Sequence, residues 1–179
     1  MKLYDFAPAA NGQHVGVFLA EKGLKVPSVE LNLRQGQQFK EPFASLNPFD
    51  CVPFLELDDG TIISETIISE SVSVCRYLEE LHPEPSLFGR NAVKRATIDM
   101  WNRCIEIDGF MPILHAVRNK LPNFKGRVIP GTRSELSQLA AVVERGTDIL
   151  KVLLGRIDPP LAKSEFIAGP AISIADITG

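Results

Sequence analysis

Two dipeptides in the first half of the chain, Val52-Pro53 and Glu70-Ser71, combine residue types that can hold an extended ligand with a carboxylate. Pro53 cannot donate a hydrogen bond to a sheet, so it must precede a strand, and an X-Pro bond adopts the cis form at little cost. Such a bend leaves the backbone N–H and C=O of Val52 free to pair with an extended ligand. Ser71 is predicted to cap a helix, and a helix N-terminus favours a carboxylate.

The residues between these dipeptides predict a β-hairpin that leads into a helix. Phe54 to Leu57 and Ile62-Ile63 are short apolar runs, and Asp58-Asp59-Gly60 supplies the tight turn between them. After Ser71, apolar residues recur at the spacing of one helical face, namely Val72, Val74, Cys75, Leu78 and Leu81.

A tandem repeat interrupts this region, because Thr-Ile-Ile-Ser-Glu occurs at 61–65 and again at 66–70. Neither a strand nor a helix absorbs five extra residues without turning its side chains to another face. We therefore expect the extra copy to form a loop between strand and helix, which keeps Glu70-Ser71 at the ligand. In the alternative arrangement, Glu65-Thr66 takes that role.

The elements that must position these residues alternate between strands and helices. Lys2 to Phe6 predicts a strand, and a helix built on Val15, Phe18 and Leu19 follows it and stops at Lys22-Gly23. Val29, Leu31 and Leu33 predict a second strand, and a short irregular helix then ends at Asn47-Pro48. This alternation indicates an α/β fold for the first half of the chain.

The second half of the chain has only helical periodicity. After a linker from Pro83 to Gly89, apolar residues form long stripes over 91–121 and 134–156 that are expected to pack on each other. Gly109 and Pro112 predict a kink in the first stripe.

Composition limits the function classes. The chain has 179 residues, 45% hydrophobic content and a formal charge of −3, which argue for a globular protein without a nucleic-acid or membrane partner. Cys51, Cys75 and Cys104 are widely spaced and fit no disulfide framework or metal site; Cys75 and Cys104 are expected to be core thiols. The N-terminus predicts a strand rather than a signal peptide, which indicates the cytoplasm.

The Val52-Pro53 bend, the Asp-Asp-Gly hairpin and Glu70-Ser71 leading into Val-Ser-Val-Cys-Arg-Tyr-Leu-Glu-Glu resemble the glutathione-binding half of the cytosolic glutathione transferases. The resemblance covers nearly the whole chain. It implies a thioredoxin-like α/β domain at 1–82, a linker at 83–90 and an all-α helical domain at 91–179.

The resemblance also implies roles for individual residues. The backbone of Val52, with Pro53, Glu70 and Ser71, would bind the cysteinyl and γ-glutamyl parts of glutathione. Further contacts follow in the same way: Gln38 and Lys40 at the glycyl carboxylate, Asp99 across a homodimer, and Trp101, Phe110 and His115 around the electrophile. From the residues alone, Gln38 and Lys40 are almost equally well explained as a solvated loop, and Asp99 is better explained as an exposed helix-face carboxylate.

The thiol-activating position departs from the family pattern. Ala9 stands where a serine is common, so the usual hydroxyl is missing. Asn11 is the nearby side chain that can donate to a sulfur, and an exposed helix N-terminus can help a thiolate through its dipole. The alternative is that Asn11 only forms the turn and caps the helix. His14 is expected to be an exposed polar residue.

The resemblance implies an enzyme that transfers the thiolate of glutathione, its co-substrate, to a small electrophile or reduces a peroxide. The alternative is a non-catalytic relative that keeps the fold for binding or assembly. Near the end, Ser173 to Asp176 resembles a capping box, yet the chain stops at Gly179. We therefore expect an incomplete helical domain, frayed residues after Ile167, and partly exposed side chains on the long helices, including Val143 and Leu150.

Overall fold

The computed structural model describes residues 1–57 and 68–179 and divides the chain into two units, Met1–Pro85 and Ser86–Gly179. The predicted hairpin turn at 58–60, the run Ile62-Ile63 and the first copy of the repeat lie outside the described residues.

The described part of the first unit contains a sheet with the strand order β2-β1-β3. Its strands are β1 (Lys2–Asp5), β2 (Ser28–Glu30) and β3 (Phe54–Glu56). β1 runs parallel to β2, with Tyr4 opposite Val29, and antiparallel to β3, with Tyr4 opposite Phe54. The predicted α/β order of the first half is confirmed.

Three helices accompany the strands of this unit: α1 (Ala10–Lys22), α2 (Phe43–Leu46) and α3 (Ser71–Leu81). α1 ends where predicted, at Gly23, whose φ of 64° suits a residue without a side chain. The predicted second strand is too long, because it ends at Glu30 and a 3-10 turn begins at Leu33. Asn32 causes this early end, since its side chain accepts hydrogen bonds from the N–H groups of Arg34 and Gln35.

Apolar side chains cover both faces of the sheet. On one face, Tyr4 stacks on Phe54 at 4.5 Å between ring centroids and meets Phe43 of α2 edge to face. On the other face, α1 packs against α3, and Phe18 and Val74 are completely buried. Burial of such side chains is worth about 1.5–3 kcal/mol each, which holds the ends of β1, β3, α1 and α3 in place.

A buried ion pair joins the C-terminal ends of α1 and α3. The Lys22 ammonium pairs with the Glu79 carboxylate and donates hydrogen bonds to the carbonyls of His82 (2.8 Å) and Pro85 (2.5 Å). A buried charge is tolerated only when it is paired and hydrogen-bonded, and here both conditions hold.

The second unit consists of helices. α4 (Ala92–Ile105) continues through a π-helical turn (Glu106–Phe110) into α5 (Met111–Lys120), which accounts for the irregularity predicted at Gly109 and Pro112. α5 packs against α6 (Ala140–Leu161), as the two apolar stripes predicted. The contact is close, because a methyl group added at Gly146 would lie 2.6 Å from the carbonyl oxygen of Pro112.

The predicted start of α6 at Ser134 is wrong, since the helix begins at Ala140. The end of α5 holds the preceding residues in an extended form. The side chain of Gln138 donates to the carbonyls of Arg118 and Leu121, and the N–H of Leu139 donates to Asn119. These bonds satisfy helix-end groups that the amphipathic pattern does not reveal.

The fraying predicted after Ile167 is also wrong. Helix α7 (Ile174–Thr178) packs against α4, and Ile174 and Ala175 are buried. Asp176 completes the predicted capping box with Ser173 and also accepts from the N–H of Ile167 at 2.8 Å. The hydroxyl of Thr178 donates to Asn102 at 2.7 Å. Val143 and Leu150 are half-buried.

Within the described ranges, no helix has both the length and the apolar character needed to cross a membrane.

Candidate functional site

Val52 and Pro53 form the bend that the sequence predicted in front of β3. Their peptide bond is cis, and Val52 is 5% exposed. Neither the N–H nor the C=O of Val52 forms a hydrogen bond with another residue that the structure describes. Buried backbone groups nearly always have a partner, so Val52 offers one donor and one acceptor to an extended ligand.

Asn47 fixes the loop that leads to this bend, and sequence reasoning missed its role. Its completely buried side chain donates to the carbonyl of Cys51 at 2.8 Å and accepts from the N–H of Phe49 at 3.0 Å. Asn47 appeared in the sequence only as a helix stop before Pro48. A buried asparagine that satisfies two backbone groups of a loop is a strong local constraint.

Ile68, which belongs to the second copy of the repeat, lies next to β3. Ile68 forms an antiparallel bridge with Leu55, whose other edge pairs with Leu3 of β1. Counting three residues back from Leu55 and three forward from Ile68 reaches Val52 and Ser71, so the pairing brings these two residues to the same end. A pairing of Leu55 with Ile63 would instead bring Thr66 there. The bridge therefore favours Glu70-Ser71 over Glu65-Thr66.

Ser71 is the first residue of α3 rather than its N-cap, which corrects the sequence prediction. Glu70 occupies the cap position in an extended conformation, and its carbonyl accepts from the N–H of Val74. Ser71 is buried and Glu70 is exposed. The hydroxyl and N–H of Ser71 thus lie in the first turn of the helix, where the helix dipole favours a carboxylate.

Asn11 lies at the second position of α1 and is half-buried. The alternative that it caps the helix is wrong, because the cap residue is Ala9, which has no side-chain hydrogen bond. Within residues 1–57 and 68–179, the Asn11 side chain forms no hydrogen bond. Its amide is therefore available at a helix end without a capping side chain or a first-turn acid.

Gln38 and Lys40 belong to the 3-10 turn Gln37–Phe39 and its cap. Lys40 is exposed, whereas Gln38 is half-buried. The side-chain oxygen Oε1 of Gln38 is buried and has no hydrogen-bond partner among the residues described. This burial of the Gln38 side chain argues against the alternative that Gln38 only forms part of a solvated loop.

His14 is buried, which makes the expectation of an exposed residue wrong. Its Nδ1 lies 3.9 Å from the sulfur of Cys75 on α3. Burial lowers the pKa of His14 to about 4 and raises the pKa of the Cys75 thiol. Both groups are thus neutral near pH 7, and Cys75 is the core thiol that was expected. Cys104 is exposed, so the same expectation is wrong for that residue.

The candidate electrophile residues of the second unit lie in different surroundings. Trp101 packs on the cluster of Ile105, Ile167 and Ala175, and Phe110 is half-buried in the π-helical turn. His115 lines a groove of about 410 Å³ between α5 and α6. Most of the other lining residues are apolar, such as Ile107 and Met111, and Arg145 adds a charged side chain. Asp99 is exposed on α4.

Comparisons with known proteins agree with this geometry. The family model described as "Glutathione S-transferase, N-terminal domain" matches residues 3–86. Glutathione S-transferase 2 of Saccharomyces cerevisiae is 31% identical over 182 residues, which cover 99% of this chain and 72% of that protein. Maleylacetoacetate isomerase of Mus musculus is 29% identical over 98% of this chain and 73% of that protein.

Solved structures extend the similarity to both units. A class Gtt2 glutathione S-transferase of Vibrio parahaemolyticus superimposes with a TM-score of 0.79 and 36% identity, covering 100% of this chain and 78% of that one. Gtt2 of Saccharomyces cerevisiae gives a TM-score of 0.84 with 29% identity, covering 99% of this chain and 81% of that one. The thioredoxin-like domain followed by a helical domain is thus confirmed.

Proposed function

Because the chain belongs to the glutathione S-transferase family, we propose that it binds glutathione at Val52 and Ser71 and uses the thiolate in transferase-type chemistry. The backbone of Val52, which forms no hydrogen bond with another described residue, carries this proposal. An extended cysteinyl residue can exchange two hydrogen bonds with it, as a strand does at a sheet edge. The γ-glutamyl carboxylate would then bind the first turn of α3 at Ser71, with Glu70 facing the ammonium group.

The remaining contacts follow from the same placement. Gln38 and Lys40 would bind the glycyl carboxylate, and a homodimer would let Asp99 approach the γ-glutamyl group of the partner's ligand. Phe110 and His115 would contact the electrophile, while the packing of Trp101 on Ile105 and Ile167 supports a core role for that residue.

In the reaction, the sulfur of the thiolate forms a bond to an electrophilic carbon, and the leaving group departs with its electron pair. Activation of the thiol would come from the Asn11 amide and from the N-terminus of α1. Both favour a negative charge at the sulfur, and neither removes the proton itself. The proton therefore leaves to solvent.

The test of this activation compares Asn11→Ala with Gln13→Ala, which removes an exposed amide from the same helix. We expect Asn11→Ala to raise the pKa of the bound glutathione thiol and to lower turnover with an aryl halide about tenfold, with affinity nearly unchanged. Gln13→Ala should leave all three quantities at the wild-type values. If turnover and thiol pKa stay unchanged in Asn11→Ala, the activating group is the backbone instead.

The similarity to maleylacetoacetate isomerase supports a second candidate, a glutathione-dependent isomerisation. Transfer consumes one glutathione thiol per turnover, whereas isomerisation returns it. Thiol titration with an aryl halide, and separately with maleylacetoacetate, distinguishes the two reactions. Binding of glutathione with no turnover of these substrates or of a peroxide would favour the non-catalytic alternative.

A further inference from the structure

Asp5 places a partly buried carboxyl group beneath the first turn of α1. Asp5 is the last residue of β1 and lies opposite Glu30 of β2. Its main-chain carbonyl accepts a hydrogen bond from the N–H of Leu31 at 2.7 Å. Its side-chain Oδ1 is buried and has no hydrogen-bond partner among the residues described. A buried carboxylate oxygen in this situation is costly, so its retention calls for an explanation.

The carboxyl group of Asp5 lies directly against Gly12. A methyl group added at Gly12 would be 2.3 Å from Oδ1, which is far inside any real contact. Gly12 has ordinary helical backbone geometry, so the glycine is needed for space rather than for conformation. One turn further along the same helix, Gly16 has no atom within 4 Å of the equivalent position.

The first residues of α1 supply no polar cap of their own. Ala9 caps it without a side-chain bond, and its first turn holds no acidic residue. Burial is the main cause that raises the pKa of Asp5; the N–H of Phe6 opposes this effect, and the charge of Glu30 adds to it. No lysine or arginine pairs with Asp5 in the part of the chain that the structure describes, and His14, buried in the same helix, is neutral near pH 7.

We propose that Asp5 is a positioning residue for the glutathione thiol: its contact with Gly12 fixes the first turn of α1, and its charge limits how strongly that turn stabilises a thiolate. This role rests on the proposed function. The first turn carries Asn11 and the unpaired N–H groups of the helix end. A carboxylate beneath them cancels part of the positive potential that favours an anion at this end.

The first test replaces Asp5 by asparagine, which keeps the shape and removes the charge. Asp5→Asn should lower the pKa of bound glutathione by about 0.5 to 1, because a negative charge near the thiolate is lost. Glutathione affinity should change less than about threefold. The readout is a pH titration of the thiolate absorbance of enzyme-bound glutathione. A merely structural role would move the melting temperature and leave the thiol pKa unchanged, which would overturn the proposal.

The second test uses Gly12→Ala with Gly16→Ala as its matched control. The new methyl group at Gly12 must displace either the carboxyl group or the turn, so kcat should fall at least about tenfold. Gly16→Ala should keep the wild-type kcat, and circular dichroism checks that each variant is folded. If Asp5→Asn does not fold, the kcat ratio of the two glycine variants decides the question, and equal values contradict the proposal.

These outcomes separate the two proposals. If the wild-type protein binds no glutathione, the proposed function fails and the role of Asp5 fails with it. If the wild-type protein binds glutathione while Asp5→Asn and Gly12→Ala both match it in thiol pKa and kcat, only the role of Asp5 fails.

Discussion

The candidate site depends on a few backbone groups that single side chains hold in place. Asn47 satisfies the loop before Val52, and Asp5 packs beneath the turn that carries Asn11. The sequence predicted Val52 and Ser71, because an X-Pro bend and a polar residue at a helix start have local signatures. Asp5, Asn47 and His14 have no such signature, since their roles come from burial by residues distant in sequence.

The burial of His14 predicts a pH dependence of stability. Its pKa is about 4 in the folded protein and about 6.5 when unfolded, so the unfolded state binds the proton more readily. The free energy of unfolding should therefore fall between pH 6.5 and pH 4, by about 3 kcal/mol in total, and then level off. Urea denaturation of the wild type and of His14→Gln across this range measures the difference.

The exposed residue His82 supplies the control for this prediction, and His82→Gln should keep the wild-type slope. Asp5 acts in the opposite direction, because its raised pKa favours protonation in the folded state. That contribution is common to the wild type and both histidine variants, and it cancels in the comparison. An unchanged slope in His14→Gln would contradict the assignment.

At the level of elements, the bridge between Leu55 and Ile68 favours the second copy of the repeat as the one that leads into the candidate site. The antiparallel register fixes which residues lie opposite each other. Because Leu55 pairs with Ile68 and not with Ile63, five residues earlier, the start of α3 lies at the level of Val52. The sequence predicted α1, α3 and the pairing of the long helices correctly, since α3 and the long helices have a clear apolar period and α1 has a glycine stop at Gly23. It misplaced the end of β2 and the start of α6, where Asn32 and Gln138 bind neighbouring backbone groups.

The contact between α5 and α6 predicts opposite effects for two glycines of the same helix. Gly146→Ala places a methyl group 2.6 Å from the carbonyl oxygen of Pro112, so it should lower the free energy of unfolding by about 1–3 kcal/mol. Gly155→Ala meets no atom within 4 Å and should raise it by about 0.5–1 kcal/mol, because alanine favours a helix. Chemical denaturation of both variants tests the prediction. Equal effects would mean that α5 and α6 are not closely packed at Gly146.

For the whole molecule, family membership and the geometry of the first unit support the same function. The comparisons show that the chain belongs to the glutathione S-transferase family, with a thioredoxin-like domain followed by a helical domain. In the second unit, mostly apolar side chains line the groove at His115. Substrate choice depends on such pocket side chains, whose arrangement the helical periodicity of the sequence does not specify. The central claim is therefore that glutathione binds at the start of α3.

Calorimetric titration of glutathione into the wild type, Ser71→Ala and Thr66→Ala tests this claim most directly. Ser71 is not the cap of α3, so its replacement should leave the helix intact and remove one hydrogen bond to a charged group. We predict millimolar or tighter binding by the wild type, a loss of about 1–2 kcal/mol in Ser71→Ala, and no loss in Thr66→Ala. No binding by the folded wild type, or a loss in Thr66→Ala that equals or exceeds that in Ser71→Ala, would contradict it.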